Sequence, residues 1–268
     1  MLTLTYRADH KIPVEAEVIA PDHLLGKSSA DIAKLSVQHG NAQAALGEFF
    51  DVSGDASDAE IRIDGDCSRV KWIGAGMTMG RIRIHGNIGM HLGSEMKGGL
   101  IEVDGDAADW VGAEMRGGRI HIRGNAGHLV GAGYRGSRLG MRGGAILVEG
   151  KAGSEIASTM RRGLVAIGGE TGDFPGVGLI AGSVFLFGTP GLRTAAGMKR
   201  GTIALCGVET SLLPTFRFDC VYRPTFLHLY LRQLAAWNFG PALKFEPGLV
   251  RRYRGDLVAL GKGEVLML

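Results

Sequence analysis

Hexamers of alternating aliphatic and polar residues recur along the middle of the chain: EIRIDG, RIRIHG, LIEVDG, RIHIRG, AILVEG, LVAIGG, SVFLFG and TIALCG. They close on Gly65, Gly86, Gly105, Gly124, Gly150, Gly169, Gly188 and Gly207, at successive spacings of 21, 19, 19, 26, 19, 19 and 19 residues. Period-two alternation predicts a β-strand in each, and the terminal glycine predicts a turn. A 19-residue unit is too short to carry a crossover helix beside its strand, so each unit reads as one coil of a parallel β-helix. A row of antiparallel hairpins is the alternative, but a direct repeat does not naturally place equivalent faces on oppositely running strands.

The second and fourth residues of each hexamer are large and aliphatic, from Ile61/Ile63 and Ile82/Ile84 to Val184/Leu186 and Ile203/Leu205. They share one face of their strands. Coils stacked ~4.8 Å apart align them into ladders that lose water to the coils above and below, over a core roughly 35 Å long. After each strand comes a glycine-rich corner, as in GSEMKGG, GAEMRGG, ASTMRRG and AAGMKRG, with a methionine column (Met77, Met96, Met115, Met160, Met198) that reads as filler for irregular gaps. The 26-residue interval reads as a local duplication, YRGSRLGMRGG, that bulges from the rod and keeps its register. Asp66, Asn87, Asp106 and Asn125 fall in one column, where Asx side chains satisfy turn amides.

Composition narrows the function classes. The 44 glycines in 268 residues are more than twice the usual share of roughly 7 %, without the every-third-residue pattern of collagen. With 45 % hydrophobic residues and a net charge of +3, the chain is neither a disordered tail nor a strongly basic nucleic-acid binder. Cys67, Cys206 and Cys220 are far apart, and Arg7, Asp9 and Lys11 stand where a secretory leader would be apolar; a soluble cytoplasmic protein is expected. The most apolar stretch, around residues 177–187, is short of a membrane span and broken by Gly178, Gly182 and Ser183.

No catalytic constellation is legible. Gly131-Ala-Gly133-Tyr-Arg-Gly136 satisfies GxGxxG literally but sits in a corner with no βαβ context. No histidine spacing suggests a metal site. Glu95 and Glu114 stack at equivalent corners, with Lys97 and Arg116 two residues on to neutralise them. We therefore expect no catalytic residue and no metal ligand in this chain, and read its surface instead.

The outward third places run Arg62, Arg83, Glu102, His121, Leu147, Ala166, Phe185, Ala204, and the fifth places likewise turn from Asp64, His85, Asp104, Arg123 and Glu149 to Gly168, Phe187 and Cys206. The apolar part must be covered by the chain's own C-terminal segment or by another subunit. Leu147, Ala166, Phe185 and Phe187, with Tyr230 and Trp237 of the C-terminal segment, are the expected partner-binding residues. Beside them runs a cationic corner column, Lys97, Arg116, Arg135 or Arg142, Arg161 and Lys199, which is either a solvated edge or a track for an anionic ligand.

Both raw ends of such a rod need caps. Residues 2–7 and 14–19 read as strands, 29–35 as a short helix with Ile32 and Leu35 on one face, and 49–54 as an incomplete first coil. Residues 226–239 read as a helix with the stripe Leu227, Tyr230, Leu231, Leu234, Trp237, stopped by Gly240-Pro241; residues 249–268 read as a strand or a subunit-binding tail. The expected fold is all-β: a right-handed parallel β-helix over residues 49–207, an N-terminal cap over 1–48, and a helical cap and tail over 208–268.

The phrases VGAEMRGG and IRGNAG, the closing GTPGLRTAAGMKRGTI (residues 188–203) and the tail LLPTFRFDCVYRP (residues 212–224) together resemble the C subunit of formylmethanofuran dehydrogenase and its relative, the C subunit of the formyltransferase/hydrolase complex of aerobic methylotrophs. The likeness covers essentially the whole chain. The glycine repeats alone are similar also to the C-terminal β-helix of glutamate synthase. The resemblance implies a non-catalytic subunit of a hetero-oligomeric one-carbon enzyme. In the methylotroph form, a formyl group passes from tetrahydromethanopterin to a methanofuran-type carrier and is hydrolysed to formate. In the alternative, CO2 is reduced and fixed as formylmethanofuran. Metal chemistry then belongs to other subunits, no nucleic acid or membrane is involved, and the cationic column (Lys97, Arg116, Arg135, Arg142, Arg161) would receive an acidic tail of the carrier.

Overall fold

The computed structural model describes residues 1–7, 11–207 and 210–268; Asp9, one of the charges read above, lies outside them. In chain order the elements are β1 (Leu2–Tyr6), β2 (Val14–Glu15), α1 (Pro21–Leu24), α2 (Ser29–Ala33), β3 (Ser36–His39), β4 (Ala42–Ala45), β5 (Phe50–Gly54), β6 (Glu60–Asp64), β7 (Val70–Lys71), β8 (Arg81–His85), β9 (Leu100–Val103) and β10 (Arg119–Ile122). Then follow β11 (Arg142–Val148), β12 (Arg162–Ile167), β13 (Ser183–Leu186), β14 (Arg200–Leu205), β15 (Arg217–Tyr222), α3 (Thr225–Ala236), α4 (Gly240–Leu243), β16 (Val250–Gly255) and β17 (Lys262–Met267). The protein is thus built mostly from strands, thirteen of them in one sheet ordered β15-β16-β17-β14-β13-β12-β11-β10-β9-β8-β6-β1-β5.

From β6 to β14 every neighbouring pair is parallel and pairs like with like. Ile61, Ile82, Ile101, Ile120, Ile146, Val165, Val184 and Ile203 form one unbroken column, and the fourth-place aliphatics form the next; all are buried. The methionine column is buried as filler, with Met141 and Leu179 completing it. A second row of parallel bridges joins Cys67, Ile88, Ala107, Ala126, Ala152 and Thr171. The Asx column beside it is a hydrogen-bonded ladder: the amides of Asp106, Asn125 and Lys151 donate to Oδ1 of Asn87, Asp106 and Asn125 at 2.9, 2.6 and 2.8 Å. A parallel ladder runs on the next turn, where His128, Ser154, Asp173 and Leu192 amides donate to side chains of Asp109, His128, Ser154 and Asp173.

The ends differ from the sequence reading in instructive ways. β5 is not an incomplete first coil: it runs antiparallel to β1, and β1 itself takes the first place in the ladder, pairing parallel to β6 with Leu2 on Ile61 and Leu4 on Ile63. At the other end the chain returns as β17, parallel to β14, so that Val265 and Met267 continue the columns of Ile203 and Leu205. Both returns satisfy a strand edge that the repeat alone would leave bare. α2 stops at Ala33, with Ser28 Oγ accepting from the Asp31 amide as its N-cap and Ile32 buried. Helix α3 buries Leu227, Leu231 and Leu234 at i, i+4, i+7 spacing and ends before Trp237. No helix among the described residues is long and apolar enough to cross a membrane.

Ile146 sits fully buried between Ile120 and Val165. We expect Ile146→Ala to cost about 2–5 kcal/mol by loss of transfer energy and the cavity left behind, read as a lowered denaturant midpoint; an unchanged midpoint would place this side chain outside a packed ladder.

Candidate functional site: corners and covered face

Between successive parallel strands the chain turns through a corner where positive φ recurs at alternate residues: Trp72, Gly74, Gly76; His91, Gly93, Glu95; Trp110, Gly112, Glu114; Leu129, Gly131; Glu155, Ala157, Thr159; Phe174, Gly176, Gly178; Arg193, Ala195, Gly197. Reversing the sign of φ at every other residue turns successive N–H groups toward the repeat before and the repeat after. Accordingly the His91 and Glu95 amides donate forward to Asp109 and Ala113, while the Gly93 amide between them donates back to Ile73. Trp110, Glu114 and Gly112 repeat this with His128, Ala132 and Leu92. Non-glycine residues in this region cost about 1–3 kcal/mol each and persist where the surroundings over-determine them; here the amides of Trp72, His91, Glu95, Trp110, Glu114, Glu155, Ala157, Thr159, Phe174 and Ala195 are each fixed by a carbonyl of a neighbouring repeat. At the middle place space is also short, since a Cβ on Gly112 would lie 2.4 Å from Ile146 Cδ1.

The first corner place carries an aromatic stack that our sequence reading missed. Trp72 and His91 stack with centroids 4.1 Å apart, and Trp110 stacks on Tyr134 at 4.9 Å. Tyr134 belongs to the corner extension, which folds back over two coils so that its hydroxyl donates to Ser94 Oγ at 2.8 Å and lies 3.1 Å from His91 Nδ1. Burial raises the Tyr134 pKa to about 12. The 19-residue spacing of Trp72, His91 and Trp110 was the signal available in the sequence.

The structure brings Lys97, Arg116, Arg142, Arg161 and Lys199 into one corner row, because their amides donate to equivalent carbonyls, those of Met77, Met96, Met115, Met141 and Leu179. Ile180 interrupts it, donating to Met160. Arg135 is exposed on the extension and falls outside the row, because the register resumes only at Met141. Arg116 pairs with Glu95 at 3.0 Å, whereas Lys97, Arg161 and Lys199 make no ion pair among the described residues.

The apolar outward columns are covered by the chain itself. Leu147, Ala166 and Phe185 are at most 1 % exposed, packed with Leu227, Leu231, Leu234 and Phe239. These three are therefore not available as a partner surface, a correction to the expectation above; the cover is helix α3. Phe187 lies between the rings of Phe239 and Phe245, 5.6 and 5.8 Å away, and Tyr230 packs against Phe185 at 5.3 Å. Trp237 stacks under the Arg119 guanidinium, 5.0 Å from its centroid.

Where polar columns give way to apolar ones, His121 is buried with Nε2 2.9 Å from Glu149 Oε1. Arg123 also pairs with Glu149 and donates to the carbonyl of Asn238 at 3.1 Å, tying the segment after α3 to the strands. Burial, reinforced by Arg123, holds the His121 pKa below its usual range despite the Glu149 carboxylate. Among the described residues no three His, Cys, Asp or Glu side chains are grouped to hold a metal ion. Burial pushes the Cys67 and Cys206 thiols up to about 12, which suits inert core residues.

Because the unfolded chain protonates His121 more readily than the native one, stability should fall as pH drops through the ordinary histidine range and level off once native His121 is also protonated. His91, likewise lowered chiefly by burial, acts with the same sign. We expect His121→Gln to flatten the fall in unfolding midpoint between about pH 8 and pH 5; a profile as steep as that of the parent would refute this assignment.

Comparison with known proteins places this geometry. Residues 53–221 match the family model described as the GXGXG motif. A stretch of 91 residues is 46 % identical to the C subunit of molybdenum-containing formylmethanofuran dehydrogenase 1 from Methanothermobacter marburgensis, and one of 97 residues is 41 % identical to the C subunit of tungsten-containing formylmethanofuran dehydrogenase 2 from Methanothermobacter thermautotrophicus. These matches cover 34 % and 35 % of the chain and span 23 % and 36 % of the length of those relatives. Among solved structures, a chain of the formyltransferase/hydrolase complex from Methylorubrum extorquens, crystallised with methylofuran, superimposes with a TM-score of 0.90 at 32 % identity, covering 99 % of this chain and 98 % of that one. The family model covers more than half of the chain, and this chain belongs to the GXGXG motif family.

Proposed function

We propose that this chain is a non-catalytic frame subunit of a cytoplasmic formyltransferase/hydrolase complex, in which formyl-tetrahydromethanopterin is converted to formate by way of a formylated methanofuran-type carrier. The observation that carries this reading is the end-to-end likeness to a chain of such a complex, at 32 % identity over 99 % of the residues. The parallel register of β6 to β14 at 19-residue steps supports a right-handed parallel β-helix over residues 49–207, with 1–48 and 208–268 as its caps; β1 and β17 close the two ends of its parallel ladder. Such a rod is rigid along its axis and suits a part that spaces catalytic subunits.

Since Leu147, Ala166 and Phe185 lie beneath α3, partner contacts fall on the outer side of that cover, where Leu229 is 68 % exposed, and on the outer edges of Tyr230 and Trp237, whose inner faces lie against Phe185 and Arg119. The acidic tail of the carrier would follow the row of Lys97, Arg116, Arg142 and Arg161, with Arg135 on the extension beside it. Lys97 and Arg161 are exposed and lack carboxylate partners among the described residues, and like charges one coil apart gain from a bound polyanion. Metal chemistry in the complex would fall to partner subunits. The C subunit of formylmethanofuran dehydrogenase is the second reading, supported by the 46 % identical stretch; it predicts CO2 reduction where the first predicts formate release.

Purification from the native host with a tag on this chain should retain the catalytic subunits and carrier. Lys97→Glu with Arg116→Glu should then weaken carrier retention without dispersing the subunits, by a factor that shrinks as salt rises. Absence of any one-carbon enzyme among the companions would overturn the assignment, and undiminished carrier retention at low salt would overturn the track.

A further inference from the structure

Helix α3 does not seat flat on the sheet. Beside it runs a groove of about 500 Å³, floored by glycines and walled by the helix. The floor is Gly118, Gly144 and Gly163, one from each of three successive coils. A Cβ there would strike neighbouring coils (2.6 Å from Met96 Cε at Gly118), so the row is glycine for stacking reasons and leaves a shelf without side chains. The helix wall presents Tyr230, Gln233 and Trp237, at i, i+3, i+7 spacing, and Tyr230 is held by a hydrogen bond from Ser183 Oγ at 3.1 Å. Leu164 adds apolar surface.

At one end of this groove stands Arg119. Its guanidinium lies over Trp237 at 5.0 Å, and its Nε is buried without a hydrogen-bond partner. Among the described residues no carboxylate lies within ion-pair distance of it. Glu102, a carboxylate whose field reaches Arg119, is engaged by Arg83 at 3.5 Å and Arg81 at 3.9 Å. A buried donor left without an acceptor is costly, and in native proteins it commonly marks a position completed by a ligand or water. Arginine presents a planar fork that matches a carboxylate, and the aromatic and aliphatic walls favour an apolar body over a bare ion.

We propose that the groove between α3 and the glycine row binds a small carboxylate carried on an aromatic or apolar body, with Arg119 receiving the carboxylate and Trp237, Tyr230 and Leu164 receiving the body. This site is separate from the corner row invoked for the carrier tail and does not depend on that reading, because neither Lys97 nor Arg116 lines it.

The test uses the full-length chain, with 3-phenylpropionate as the probe followed by ligand-observed NMR titration. We expect saturable binding that weakens by about tenfold or more in Arg119→Gln. Trp237→Ala should weaken it too, Lys97→Gln should not, and the uncharged amide 3-phenylpropanamide should fail to compete. Arg119→Lys, which keeps the charge and loses the fork, should fall between, and it serves as the reporter should Arg119→Gln not fold. Equal binding by the amide, undiminished binding in the Arg119 variants, or no saturable binding to the parent would each overturn the proposal.

Discussion

Everything in this protein depends on how one 19-residue repeat grips the next. The grip has two parts: buried aliphatic columns from the strands, and corner amides turned alternately up and down by alternating signs of φ. The first part supplies non-directional burial, which would tolerate sliding; the second fixes the register, because each corner must meet partners on both sides at once. Side-chain ladders such as Asn87–Asp106–Asn125 lock the remaining turn amides. A fixed register converts residues 19 apart in sequence into neighbours in space, and that conversion makes both the cationic row and the aromatic stack.

The same logic explains the C-terminal third of the molecule. Outward positions turn apolar from Leu147 onward, and α3 lies over them with Leu227, Leu231 and Leu234. The cover is pinned at the changeover point by the Glu149 carboxylate, shared between buried His121 and Arg123, and by the Arg123 contact to Asn238. Because the helix rests on strands whose corners are stripped to glycine, its flank leaves a shelf, and Arg119 is the cation that lines this shelf, stacked on the Trp237 ring. The frame thus presents cations in two distinct settings: an open row at the corner and an arginine fork in the groove beside the helix.

Much of this was legible in the chain because two periods are superimposed, two within each strand and nineteen between strands. The aliphatic pairs, the Asx column, the methionine filler and the need to cover Leu147 through Phe185 all follow from that superposition. What escaped has physical reasons. The antiparallel course of β5 and the parallel return of β17 are long-range pairings with no local signature. The positive-φ corners were readable only where glycine marks them; Trp72, His91 and Trp110 adopt the same geometry under constraint from adjacent coils. Arg142 rather than Arg135 holds the corner row because the extension rejoins the register only at Met141, which counting residues alone leaves open.

The central claim is that the parallel strands stack one per 19-residue step. Spin labels at exposed Lys97 and Arg161, and in a second preparation at Lys97 and Lys199, measure it directly by pulsed dipolar spectroscopy. Two further coils separate the second pair, so its distance should exceed that of the first by about 10 Å at ~4.8 Å per coil. Equal distances in the two preparations, or a shorter one for the longer interval, would contradict the stacked arrangement.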